Sequence, residues 1–406
     1  MTALLIGLSL LFVWSVTADR LARWSVTAPL AFVAAGMLLT GGPDPAIRID
    51  LDMHGMQRGA ELVLAVLLFL DASEAKDYDR LRRTVGEWRL LGIALPLSIV
   101  LATLFGALLF PGHSWWLLVL MALVVMPIDL APISAVLRDT RIPLKVRAAL
   151  NFEGGLNDGL ISPVFLFCVA NLSSAQGSGL AELAWNAGKQ ALLAVLIGGA
   201  LGLLAAWLVR TAHRAGWADG GSLRLATLAL PFLAYAATVL VDGNGFVAAF
   251  VAGLCYAPTA RELAGNLDLV HDVAQVMAFA VWLVLGGLAT DVFSLSGGWA
   301  VFGYALLALT AARFVPVFLS LGGLDLRRPE RAAVGWLGSR GVTSIVFGIL
   351  AASQLPDDQD TLLVVNVMCA TVLLSVVLHG VTVAPVARWF EGRDRAREGT
   401  PREPVG

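Results

Sequence analysis

The sequence predicts an all-α, polytopic membrane protein of 13 transmembrane helices, and three observations carry that expectation. Of 406 residues, 58% are hydrophobic and only 14% charged, with a mean hydropathy of +0.79; a soluble chain carries about 25% charged residues. Apolar runs able to cross, or nearly cross, a hydrocarbon core ~30 Å thick recur along the whole chain. The basic residues are segregated between the loops. Of the 28 Lys and Arg, Arg48, Arg58 and Lys189 fall on one side, Arg313 and Arg340 lie within spans, and all the others share the opposite side. Lys and Arg are retained on the cytoplasmic side of short loops. The expected topology is therefore N-terminus outside and C-terminus inside, in the cell (inner) membrane.

In order, the expected spans are 2–17, 25–41, 56–73, 89–110, 115–137, 147–171, 188–209, 223–241, 244–256, 272–290, 296–321, 331–354 and 361–387. The first has no basic residue ahead of it, and Arg20 follows it, the reverse of a cleavable signal peptide; it is expected to stay as a helix. The ninth is short and is divided from the eighth only by the turn DGNG at 242–245. Residues 1–387 thus form one transmembrane domain. From about Arg388 the tail, 388–406, is charged, poor in apolar residues and expected to be disordered. A net charge of −2 gives no reason to expect a nucleic-acid partner. Cys168, Cys255 and Cys369 are isolated in apolar runs, which reads as core. His54, His113, His213, His271 and His379 show no ligand spacing, and no cofactor is expected. Trp115, Trp116 and Trp389 read as interfacial anchors.

Five residues sit where lipid forbids polarity: Glu153, Asn157 and Asp158 in NFEGGLNDG, Asp129 in MPIDLAP and Arg340 in GSRG. A charge there costs at least ~3 kcal/mol unless it is paired or faces water. Two of the spans concerned are interrupted. Pro127 and Pro132 flank Asp129 in span 5, and proline removes a backbone donor. Gly335, Gly338 and Gly341 surround Arg340 in span 12 and permit unwinding. Spans 5 and 12 are an odd number of segments apart and so run in opposite directions. Broken helices at matching places of two inverted repeats point to a transporter's midplane site. On span 6, Glu153 and Asn157 share a face and Asp158 lies beside it. A carboxylate half-dehydrated in a membrane keeps its proton to higher pH than one in water, so it can trade that proton for a cation near neutrality. Because it holds one or the other, competition alone couples two fluxes. Arg313, within reach of the cytoplasmic end of span 11, is expected to snorkel; Glu61, Asp242 and Asp291 read as interfacial.

NFEGGLNDG resembles the helix 6 signature, Gly-Glu-Ser-Leu-Leu-Asn-Asp-Gly, of the monovalent cation:proton antiporter-1 family, the NhaP-type Na+/H+ antiporters and their sodium/hydrogen exchanger relatives. Further blocks resemble the family in its order: LLFLDASEAKDYDRLRR at 67–83, MPIDLAPISAVLRDTRIP at 126–143, GNGFVAAFVAGL at 243–254, and the run from Arg313 through GSRGVTSIVFGIL to Leu350. The resemblance implies an NhaA/NhaP-like antiporter fold. Its core bundle would comprise about 89–171 and 296–387, and its scaffold, about 1–73 and 188–290, would form a homodimer. It implies electroneutral exchange of Na+ or Li+ for H+, with Asp158 alternately loaded and Asn157 marking the electroneutral type. It further implies a buried ion pair of Glu153 with Arg340 joining helices 6 and 12, an Asp129 carboxylate offsetting half-helix dipoles, and Asp71 in place of a glutamate that joins the cation site in some members.

The departures bear on the ion. The family's threonine before Asp129 is Ile128, whose backbone carbonyl alone could reach a cation; the serine after the helix 6 glutamate is Gly154; and Asp71 is one methylene short. The expected metal-ion ligands are thus Asp158, Asp71 and the Ile128 carbonyl. The alternatives are a K+/H+ antiporter or channel-like path using the same site, and, from another class, an intramembrane aspartyl hydrolase. The chain lacks a Gly-x-Gly-Asp pattern and any Ser/His or zinc-ligand array.

Overall fold

The computed structural model describes residues 2–22, 26–41, 53–74, 85–133, 135–173, 179–294 and 298–398. Arg23, Arg48, Lys76, Arg80, Arg82, Arg83 and the tail beyond 398 lie outside them, as do the side chains of His54 and Asp291. Among the described residues a helix occupies each of the 13 expected stretches. These are α1 (Thr2–Ala22), α2 (Ala28–Thr40), α3 (Met53–Glu74), α4 (85–109), α5a (Trp115–Val125) with α5b (Ala135–Arg138), α6 (Leu144–Ser173), α7 (Leu180–Arg214), α8 (Gly220–Val239), α9 (Gly245–Glu262), α10 (Asp268–Ser294), α11 (Gly298–Ser320), α12a (Arg328–Trp336) with α12b (Val342–Gln354), and α13 (Asp358–Glu398). Seven of these, α4, α6, α7, α8, α10, α11 and α13, are long and apolar enough to cross a membrane by length and composition. The outward face of α7 is apolar, with Leu192, Leu196, Leu203 and Trp207 exposed, as befits a chain whose solvent is lipid.

Local chemistry explains the irregularities. In α4, Pro96 has no N–H to give Gly92, and the backbone widens into a π segment, Leu90–Ala94, in which Leu95 N reaches back to Leu90 O. The DGNG turn folds as its composition demands. Asp242 adopts a left-handed φ of 57°, and the Asn244 carboxamide caps α9 by accepting the N–H groups of Phe246 and Val247 at 3.1 Å. Helix α11 is jointed at Thr310, which lies outside the helical region of backbone space.

The helices pack in two groups. Helices α3, α7, α8 and α9 pack together, as do α2 and α10, while α4, α5a, α6, α11, α12 and α13 form the other group. Small residues permit the first: a Cβ on Gly198 or Gly202 would meet the α9 backbone at Ala248 or Ala252 within 2.8 Å, and one on Gly36 would meet Leu283 O at 2.2 Å. Helix α3, with α9, lies against α6 and carries the first group onto the second.

One expectation is corrected here. The chain does not leave its helix at Arg388: α13 continues to Glu398. Phe390 is buried in the apolar cluster with Leu321 and Val334, and Arg393 lies 5.2 Å from the centre of the Trp389 ring. The charged composition concealed that anchor.

Candidate functional site

The two interrupted helices break at the same place and bind each other there. Helix α5 opens at 126–130 and α12 at 337–341. Asp129 N donates to Ser339 O at 2.9 Å, and the Ser339 hydroxyl donates to Asp129 O. The Asp129 carboxylate then binds the chain beyond each break. Oδ1 accepts Ala131 N–H at 2.8 Å, and Oδ2 accepts the N–H of Val342, the first residue of α12b, at 2.8 Å. A negative charge at the amino end of a half-helix is electrostatically favourable. Gly341 makes the approach possible, because a Cβ there would fall 2.2 Å from Asp129 Oδ2.

Against this crossing lies α6, whose Glu153, Asn157 and Asp158 are all buried. Asp158 Oδ2 accepts the Thr343 hydroxyl of α12b at 2.5 Å, while Oδ1 has no hydrogen-bond partner among the described residues. Asn157 Nδ2 donates to Ile128 O at 3.2 Å, and its Oδ1 is likewise unpartnered. The Ile128 carbonyl expected to face an ion is therefore turned towards Asn157. Asp71 lies half-buried on α3, which packs on α6 and α12b, and the carboxylates of Asp158 and Asp129 act on it electrostatically. A Cβ at Gly154 would meet only ordinary contacts, with Ile128 O at 4.0 Å.

The expected ion pair between Glu153 and Arg340 is not the one the fold makes. Glu153 is gripped by Arg313 of α11 through both guanidinium arms, Nη1 to Oε1 and Nη2 to Oε2, the latter at 2.8 Å, with both side chains inaccessible. Arg313 does not snorkel. It follows the joint at Thr310, and Gly338 leaves room for its head; a Cβ there would meet Arg313 Nε at 2.6 Å. Arg340 instead folds back onto its own broken helix, donating from Nη1 to Gly338 O at 2.9 Å, with Nε and Nη2 unpartnered. Unwinding frees main-chain carbonyls, and buried carbonyls need donors.

Sequence reasoning passed over four participants. Thr343 and Ser339 are the hydroxyls that touch the two aspartates, and both flank Arg340 in GSRGVTS, where a run of hydroxyls beside an unwound segment was the available signal. Ser375 and His379, spaced one turn apart on the apolar α13, were the other: Arg340 N donates to Ser375 Oγ at 2.8 Å.

Crossed, broken helices around a half-satisfied buried carboxylate are the architecture of a secondary transporter. The family model described as "Sodium/hydrogen exchanger, transmembrane" matches residues 4–389, and the chain belongs to that family. It is 25% identical over 397 residues to "K(+)/H(+) antiporter NhaP" of Alkalimonas amylolytica, covering 96% of this chain and 67% of that protein. It is 27% identical over 269 residues to "Na(+)/H(+) antiporter NhaH" of Halobacillus dabanensis, covering 63% and 65%. The chain thus spans about two thirds of the length of these relatives. Its fold superposes on the sodium proton antiporter MjNhaP1 of Methanocaldococcus jannaschii with a TM-score of 0.73 at 18% identity, covering 94% of this chain and 98% of that one.

Proposed function

We propose that the protein exchanges a monovalent cation for H+ across the cell membrane, with Asp158 as the group that alternately carries the two. The observation behind this reading is the state of that carboxylate. It is buried, one oxygen is held by Thr343 and the other is unpartnered, while Glu153 on the same helix is neutralised by Arg313. One carboxylate beside a neutral Asn157 carries one proton or one monovalent ion, which makes the exchange electroneutral. Asp129 is committed to main-chain N–H groups through both oxygens. It therefore acts as a fixed countercharge and is not free to serve as the second acid–base carboxyl of an aspartyl hydrolase. Na+ is the first ion assigned and K+ the second. Asp71 and water complete the shell that Ile128 and Gly154 leave short of hydroxyls. All 13 helices cross, with the N-terminus outside, and the group α4–α6 with α11–α13 moves against a scaffold that pairs two copies of the chain.

The test is dequenching of an interior pH dye in proteoliposomes on addition of Na+, Li+ or K+. Wild type is expected to respond and Asp158→Asn to be silent while still monodisperse and folded, because the amide keeps volume and hydrogen bonding but cannot release a proton. A valinomycin-set potential is expected not to drive exchange. An active Asp158→Asn removes Asp158 from the role, and a rate that follows the potential removes electroneutrality.

A further inference from the structure

The end of α12a loses its next turn to the break, so its carbonyls need outside donors. Val334 O receives Arg313 at 3.4 Å, and Gly338 O, within the break, receives Arg340 at 2.9 Å. The third donor is a residue unused so far: His379 of α13, fully enclosed, whose Nε2 is 2.8 Å from Trp336 O. Its other ring nitrogen, Nδ1, is 2.9 Å from Ser375 O and 3.1 Å from Ser375 Oγ. Since Ser375 Oγ accepts Arg340 N–H, a loop of hydrogen bonds runs from Trp336 through His379 and Ser375 to Arg340 and spans the unwound segment independently of Asp129.

We propose that His379 is a positioning residue for the exchange: it holds the break of α12 at both ends, and thereby sets where Thr343 presents its hydroxyl to Asp158. This rests on the reading of Asp158 given above.

The donor count makes the loop sensitive to one proton. Trp336 O and Ser375 O only accept. An imidazolium donates to both of them. A neutral ring has a single N–H; placed on Nε2 it serves Trp336, and Nδ1 then accepts the Ser375 hydroxyl. Adding a proton to the ring therefore takes away the acceptor of the hydroxyl that receives Arg340 N–H. The charged groups acting on the ring are Arg340 and Arg313. The ion-paired histidines among the described residues are His113 and His271. Trp336 is itself pinned one turn along α13, its indole N–H donating to Thr382 Oγ1 at 3.0 Å.

The experiment compares wild type, Asp158→Asn, His379→Phe, His379→Gln and Ser375→Ala in proteoliposomes, reading apparent cation affinity and the pH profile of exchange, with thermal unfolding in detergent alongside. His379→Phe, which cannot donate, is expected to weaken apparent affinity about three- to tenfold, the worth of one buried hydrogen bond, and to displace the pH profile. His379→Gln keeps a donor for Trp336 O but cannot titrate; it is expected to restore affinity to near wild type while the profile stays displaced. Ser375→Ala shifts affinity in the same direction as His379→Phe and keeps the test open if the phenylalanine variant does not fold. Wild-type affinity and pH profile in His379→Phe, or a lowered unfolding temperature with both readouts unmoved, would overturn the proposal. Activity in Asp158→Asn would instead overturn the reading on which it rests.

Discussion

Two turns of α6 make opposite use of a buried carboxylate. Around Glu153 every charge is answered: a bidentate guanidinium, both partners out of reach of solvent. Around Asp158 the charge is left open, with one oxygen on a neutral hydroxyl and the other without a hydrogen-bond partner among the described residues. Both burials are costly, since a charge taken out of water is repaid only by good pairing. The saturated site has no reason to exchange its partner and therefore works as a joint, tying α6 to α11 beneath the crossing. The unsaturated site has a binding deficit that a proton or a cation can fill. What separates the joint from the exchanger is the number of donors each meets, since both sit on one helix with similar burial.

The sharpest way to break this contrast is to remove one member of the joint. Glu153→Gln strands the Arg313 charge and Arg313→Gln strands that of Glu153, and each is expected to cost about 3–5 kcal/mol, seen as a large fall in detergent unfolding temperature and loss of exchange. The double variant is expected to be milder than the sum, because both charges leave together. A cycle pairing Glu153→Gln with Arg340→Gln is expected to show clearly weaker coupling than the first, since these side chains share no hydrogen bond or ion pair and act on each other only through space. Strong coupling in the second cycle and none in the first would restore the pairing that sequence resemblance implied and break the one described here.

That reversal shows where the sequence stops informing. The breaks in α5 and α12 were legible because Pro127, Pro132 and the glycines around Arg340 act on their own backbone. The burial of Glu153 and Asp158 was legible because charges are rare in apolar runs. Which arginine reaches Glu153 depended on the joint at Thr310 and on the hole left by Gly338, and both are properties of how three helices meet. Thr343 and His379 were hidden for the same reason: a hydroxyl or a ring nitrogen finds its partner only after the break has formed. The tail to Glu398 was concealed by charge outweighing a few anchoring aromatics.

A gentler variant sharpens the exchanger side. Gly154 sits one turn before Asp158, and a Cβ there meets nothing closer than ordinary van der Waals contact, the Ile128 carbonyl being 4.0 Å away. Gly154→Ser is expected to fold and to add a hydroxyl oxygen beside the exchange carboxylate. If a cation uses it, apparent affinity should rise about fivefold, the equivalent of ~1 kcal/mol for one added polar contact. The gain should be larger for Na+ and Li+ than for K+, because smaller ions gain more from a close oxygen. Unchanged affinity for all three ions would place the cation away from that turn of α6.

The smallest effect is expected from an exposed carboxylate–arginine pair, which fixes the scale for the buried carboxylates of α6. Asp139, in the turn between α5b and α6, accepts Arg141 Nε at 2.9 Å and Arg141 N at 3.0 Å, and the Arg141 side chain is 43% exposed. The Arg141 hydrogen bond holds the Asp139 carboxyl below its ordinary range. A carboxyl whose folded value is depressed stabilises the fold above its unfolded value, near 3.9, and loses that contribution only as pH falls through the lower folded one. Across the range in which exchange is measured the pair should therefore be pH-silent. Solvent screening leaves an exposed pair of this kind contributing little, so Asp139→Asn should leave unfolding temperature and transport nearly unchanged at neutral pH. The difference from wild type should begin to shrink only below about pH 4 and vanish as pH falls through the depressed folded value, where Asp139 in the wild type also becomes neutral. A loss comparable to that of Glu153→Gln would mean that the same geometry is worth as much in water as in the membrane interior, and the contrast between the two turns of α6 would lose its physical basis.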